Sequence, residues 1–138
     1  MMQSSKVREL RVVLTVDDYH KAVRFYRDVL GLRLLEAFDL QPGEGAILDA
    51  GRATLEIISQ DHADFVDEIE VGKRVPSAAR LAFHVDDSTS TADALVMAGA
   101  ERLSDPVTTP WKHRNVRLRA PDGMQLTLFT VLDPEPQT

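Results

Sequence analysis

The 138-residue sequence predicts an α+β fold built from two pseudo-symmetric βαβββ modules. Three observations predict it. First, the chain repeats itself. Arg11-Val12-Val13-Leu14-Thr15-Val16-Asp17-Asp18 aligns with Arg80-Leu81-Ala82-Phe83-His84-Val85-Asp86-Asp87 at an offset of 69 positions, and Gly31 then matches Gly99 at 68. Second, each copy alternates before its Asp pair and changes to helical spacing after it, which reads as strand then helix. Third, turn residues recur between short apolar runs, notably Ala50-Gly51 and Pro121-Asp122-Gly123.

The elements follow in order. The first run, ending at Val16, is a strand, and Asp17 or Asp18 can accept hydrogen bonds from the free N–H groups of the next helix. Tyr19, Ala22, Val23, Tyr26, Val29 and Leu30 form one apolar helical stripe, and Gly31 supplies the left-handed residue that ends it. Strands are expected at residues 32–38, 46–49 and 53–59. In the second copy Asp86 or Asp87 caps a helix with a thinner stripe, Ala92, Leu95 and Val96, closed by Gly99. A weak strand at 101–104, a better one at 115–119 and a last one at 125–131 complete the set. The expected organisation is a single domain, 8–132, with modules at about 8–60 and 79–132 and an acidic connector at 61–78. Residues 1–7 and 133–138 are expected to be flexible termini.

Composition narrows the function classes. A net charge of −6 without a basic stripe argues against a nucleic-acid partner. No run of 18 apolar residues is present, so no membrane span is expected. The absence of cysteine removes disulfides, thiolate metal sites and cysteine nucleophiles. With no apolar signal segment in the first ten residues, a cytoplasmic location is the expectation. Asp61, Asp64, Asp67, Glu68 and Glu70 lie close together, either as a solvated loop or short helix between the modules or as an acidic rim.

Strand alternation splits the sheet into two faces. Val12, Leu14, Val16, Leu55, Ile57, Leu81, Phe83, Val85, Val116, Leu118, Leu126 and Leu128 are all apolar, and that face must carry the helices. The opposite face mixes Arg11, Thr15, Glu56, Arg80, His84, Asn115, Arg117, Thr127 and Phe129 with apolar residues. It is either the wet face of an antiparallel sheet or, if the sheet curves, a ligand cleft.

The duplicated halves, the VDD…FYRDVLGL opening and the PDG hairpin resemble the vicinal oxygen chelate superfamily over residues 10–132. That superfamily includes glyoxalase I, bleomycin-resistance proteins and extradiol dioxygenases. The resemblance implies a curved, cup-like mixed sheet with helices on its outer face, often completed as a homodimer. It also implies a divalent metal held by His, Glu or Gln at four positions, which here read Arg11, Glu56, Arg80 and Thr127. Only Glu56 matches. Arginine has no lone pair to give a cation, and two guanidinium groups would repel one. No metal and no other cofactor is therefore expected; a displaced site from Glu56, His84 and His113 is the weaker alternative, while His20 and His62 show no motif.

Arg11 and Arg80 present forked donors suited to a carboxylate, phosphate or enolate, or form an internal Arg-Glu-Arg network with Glu56. Trp111, in a Pro-flanked connection, is a ligand wall or a lid packed on the sheet edge, and Phe129 is the best placed further ring, with Phe38 and Phe65 behind it. The expected ligand-binding set is thus Arg11, Glu56, Arg80, His84, Trp111, Thr127 and Phe129. Two function classes follow: a metal-independent protein that binds or sequesters a small organic molecule, similar to the bleomycin-resistance branch, or a glyoxalase-type lyase, isomerase or dioxygenase with Glu56 as base or metal ligand. A homodimer is expected in either case, with a small-molecule ligand as partner and neither nucleic acid nor membrane.

Overall fold

A computed structural model describes residues 7–39 and 42–132. The segments 1–6 and 133–138, expected as flexible termini, lie outside the described residues, and Val7 opens the first strand. The order is β1 (Val7–Val16), α1 (Tyr19–Val23), a π-helical continuation (Arg24–Val29), β2 (Arg33–Phe38), β3 (Gly45–Asp49) and β4 (Thr54–Ser59). After α2 (Gln60–Glu70) come β5 (Ala79–Val85), α3 (Ser88–Met97), β6 (Glu101–Arg102), β7 (Val107–Thr108), β8 (His113–Arg119) and β9 (Gln125–Val131). The two-residue β7 has no counterpart in the sequence reading.

All strands join one open mixed sheet in the order β2-β3-β4-β1-β5-β9-β8-β6, with β7 added on β8. The duplication is visible in the pairing. In each half the first strand lies parallel to the last, β1 with β4 and β5 with β9, and the two first strands meet antiparallel at the centre. The pseudo-twofold runs between β1 and β5.

The apolar face carries α1 and α3, as the alternation requires. Val23 packs with Leu48 and Ile57 on one half; Ala92 packs with Val85, Val116, Leu118 and Leu128 on the other. Burying each such side chain contributes roughly 1.5–3 kcal/mol. Asp18 accepts from the Lys21 N–H at 3.0 Å and Asp87 from the Ser90 N–H at 3.1 Å, so the second Asp of each pair is the cap. The apolar stripe of the first helix is shorter than expected. A π-helical turn begins at Arg24, and its wider winding rotates later residues off the stripe. Val29 and Leu30 are consequently 76% and 62% exposed.

The larger surprise is α2. The acidic stretch is a helix capped by Ser59, and it packs on the concave face, where Ala63 joins Val13, Ile58, Ala82 and Phe129 in a third apolar cluster. Gly43 makes this possible: its φ is +88°, and a Cβ there would overlap Ser59 Oγ and the His62 amide at the helix start. Asp67 and Glu70 are buried rather than solvated.

Candidate functional site

Side chains from β2, β3, β4, β1, β5, β8 and β9 converge with α2 on one cleft of about 320 Å³. Strands from both ends of an open sheet reach a common hollow only if the sheet curls. Six of the seven residues expected to bind ligand line it: Arg11, Glu56, Arg80, Trp111, Thr127 and Phe129. His84 does not line it; its ring stacks on Phe129 at 5.1 Å and 13°, which makes it a support for the wall. His113 does line the cleft and stacks on the same ring at 5.2 Å and 11°. The Arg11 guanidinium carbon sits 5.3 Å from the Phe129 centroid, a cation–π distance.

Other contributors lay outside the expected set, among them His62, Asn115 and Glu70. His62 belongs to α2 and not to a loop; its Nδ1–H donates to the Pro42 carbonyl at 3.2 Å, and burial lowers its pKa. Asn115 and Glu70 line the cleft together, the Asn115 Nδ2–H donating to Glu70 Oε2 at 2.7 Å. Behind them Arg117, wholly buried, donates to Glu70 Oε1 at 2.8 Å, to Asp67 Oδ1 at 3.0 Å and to Gln125 Oε1 at 2.9 Å. This network ties α2 to β8 and β9.

The two arginines expected to act as a pair are inequivalent. Arg11 forks onto Glu9 at 3.1 and 3.3 Å and lies 3.6 Å from Glu56, so its charge is neutralised internally. Arg80 donates to Thr127 Oγ1 at 2.8 Å and has no carboxylate at ion-pair distance among the described residues. The Arg-Glu-Arg network expected from the sequence is therefore half formed. Arg80 as a residue keeps some solvent contact, yet its charged end is enclosed enough that burial, and then the Arg117 charge, lower its pKa.

The four positions where the superfamily resemblance implies metal ligands do not fit a divalent ion. Two are guanidinium groups, Glu56 is engaged by Arg11, and the Thr127 hydroxyl accepts from Arg80. Among the described residues no three His, Asp or Glu side chains gather as a metal would need, which also leaves Glu56, His84 and His113 without a displaced site.

Trp111 stands at the mouth, 36% exposed, in the turn between β7 and β8. The Thr109 N–H donates to the His113 carbonyl at 2.8 Å and the Lys112 N–H to the Thr109 carbonyl at 3.0 Å. Closing so tight a turn puts Lys112 at φ 65°, a left-handed conformation uncommon for a non-glycine residue.

Burial, then Arg11 and His84, bring the His113 pKa down to about 4, so its ring is neutral near pH 7. Between that value and the ordinary 6.5 the unfolded chain binds more protons, so stability is lost as pH falls through this window. Urea unfolding midpoints measured from pH 7 to pH 4 should fall less steeply for His113→Gln than for the parent. Identical slopes would remove the assignment.

A curved βαβββ pair with a hollow on its concave side defines a fold class that the sequence pattern narrows to one superfamily. The sequence pattern of the Glyoxalase/Bleomycin resistance protein/Dioxygenase superfamily matches residues 10–128, and the chain belongs to that superfamily. A probable lactoylglutathione lyase from Synechocystis is 27% identical over 126 residues, spanning 87% of this chain and 92% of that protein. Bacillus subtilis YraH is 28% identical over 127 residues, spanning 89% and 98%. Among solved structures, methylmalonyl-CoA epimerase from Mycobacterium tuberculosis superimposes with a TM-score of 0.68 at 23% identity, covering 99% of this chain and 94% of its own. No helix of the described residues is long and apolar enough to cross a membrane.

Proposed function

We propose that this chain binds a small organic anion in the concave cleft, without a divalent metal at the four superfamily positions. Arg80 carries the reading. Among the cleft charges Arg11 is paired with Glu9 and Glu56, and Glu70 with Arg117, Asn115 donating to its other oxygen. Glu36 sits exposed on the outer strand β2, where water solvates it. What is left inside is one guanidinium with a hydroxyl for a partner and no counter-charge at ion-pair distance among the described residues, Glu70, Glu56 and Asp67 acting on it only from further off. A carboxylate entering the cleft would supply that counter-charge in a setting of low dielectric, where the hydrogen bond is stronger than at the surface. Phe129, Phe38 and Trp111 offer apolar walls for the rest of the molecule. Whether two copies complete the site is a separate proposal; the exposed Phe25, Val29 and Leu30 are the apolar surface available for it.

The same geometry would serve an enzyme of the kind its relatives' names describe, with Arg80 facing a developing enolate and Glu56 taking a proton. Turnover of a bound acid would add that reading to the first.

Trp111 fluorescence tests the binding. Benzoate, phenylacetate and N-benzoylglycine should change its emission in the presence of a chelator, and benzylamine should not. Failure of all three acids, or binding that appears only with added Zn²⁺, Ni²⁺ or Fe²⁺, would overturn the proposal.

A further inference from the structure

Asn115 is 5% exposed, lines the cleft and holds a buried side-chain oxygen, Oδ1, that finds no hydrogen-bond donor. The orientation of its amide is determined by chemistry. The Nδ2 end lies 2.7 Å from Glu70 Oε2, and Glu70 is itself clamped by the Arg117 Nε–H at 3.1 Å and Nη2–H at 2.8 Å. A carboxylate held in this way only accepts, so the nitrogen must face it and the oxygen must face away. A flip of the amide would set two acceptors against each other. The acceptor is therefore fixed in place by a network that gives it nothing to accept. Buried acceptors without a partner are rare enough in folded proteins to need a reason.

The register places this oxygen on the same face as Arg80, two strands away and across Thr127. Asn115 pairs with Phe129 and Arg117 with Thr127 across β8 and β9, while Ala82 pairs with Thr127 across β5 and β9. Arg80, two residues before Ala82 on the same face, reaches along the strand to Thr127 Oγ1. Thr127 thus stands between the Arg80 guanidinium and the Asn115 amide on neighbouring strands. The other hollow beside Arg80, bounded by Arg117 and Gln125, holds only about 10 Å³, room for one water at most.

Resting on the anion reading above, we infer that the cleft selects organic anions that carry an N–H or O–H donor a few bonds from the charged group. Arg80 takes the anion and Asn115 Oδ1 takes the donor. Because Oδ1 is closed to water in this conformation, the ligand's donor meets it by displacing the facing wall of the cleft. Discrimination is then strong, since a molecule that enters without a donor leaves the acceptor as it was and gains nothing there.

Matched pairs that differ only in the donor test this. N-benzoylglycine and N-acetylglycine are compared with their N-methyl counterparts, and mandelate with O-methylmandelate, by titration calorimetry on the full chain. The parent protein should bind at least one donor-bearing member on the order of tenfold or more tightly than its methylated partner. Asn115→Leu should close that gap by lowering affinity for the donor-bearing member. The nitrogen and oxygen pairs report separately which donor the site takes. If methylation costs nothing in any pair, no ligand donor reaches Oδ1 and the inference fails, with the anion reading left standing. Binding of no acid at all would bring down both. A gap that persists in Asn115→Leu would assign the discrimination to another group and overturn the role of Asn115.

Discussion

Replacing Arg117 by Met should cost about 3–5 kcal/mol of stability, the usual penalty for stranding buried charges by removing their partner. Asp67 and Glu70 would be left facing each other's field inside the protein, with Arg74 still reaching Asp67 at 2.5 Å from the outer side but nothing on Glu70 except Asn115. For a domain whose total stability is of the order of 5–15 kcal/mol, that loss is a large fraction. Far-UV circular dichroism through a urea titration measures it. A drop below about 1 kcal/mol would mean that the network is hydrated and contributes little. Converting Asp67 to Asn and Glu70 to Gln in the same chain should recover much of the loss, because the stranded charges and not the missing contact are the cost.

Arg80→Met is expected to act in the opposite sense on stability. The Arg80 charge is disfavoured where it sits, first by burial and then by Arg117, so its removal should leave the unfolding midpoint unchanged or raise it. Acid binding should meanwhile fall roughly ten- to hundredfold, the worth of one or two charge-assisted hydrogen bonds. A variant that binds acids normally would eliminate Arg80 as the anchor. One that unfolds would show that its hydrogen bond to Thr127 outweighs the buried charge. The pairing of higher stability with lost binding is what separates a residue held for function from one held for packing.

The repeat made most of the fold legible. The strand before each Asp pair, the capping Asp and the closing Gly came directly from matching residues, and the alternation of β5, β8 and β9 put Val85, Val116, Leu118 and Leu128 under α3 and Arg80, Asn115, Thr127 and Phe129 in the cleft. The packing of α2 was not legible, for a specific reason. Its inward stripe is His62, Ala63, Val66, Asp67 and Glu70, at helical spacing but with only two apolar members, so a search for apolar periodicity passes over it. The available signal was Arg117: a charge that alternation places on the concave face needs a partner, and the acidic stretch was the nearest supply. The π-helical turn after Val23 escaped for another reason, since it reflects a slip of backbone hydrogen bonding that no side-chain pattern encodes.

The inequality of Arg11 and Arg80 has a signal in the sequence that the repeat alone conceals. Their positions correspond under the repeat, but Glu9 is the second residue before Arg11, whereas Ala78 is the second residue before Arg80. In a strand that spacing places Glu9 on the same face as Arg11, and the pairing Arg11–Glu9 follows.

Because α2 covers one side of a hollow whose strands are otherwise related by a pseudo-twofold rotation, the walls that face each other are chemically unlike. A guest molecule therefore has one head-to-tail orientation available and not two. The copying of the scaffold would have made the two ends of such a guest interchangeable, and α2 removes that equivalence.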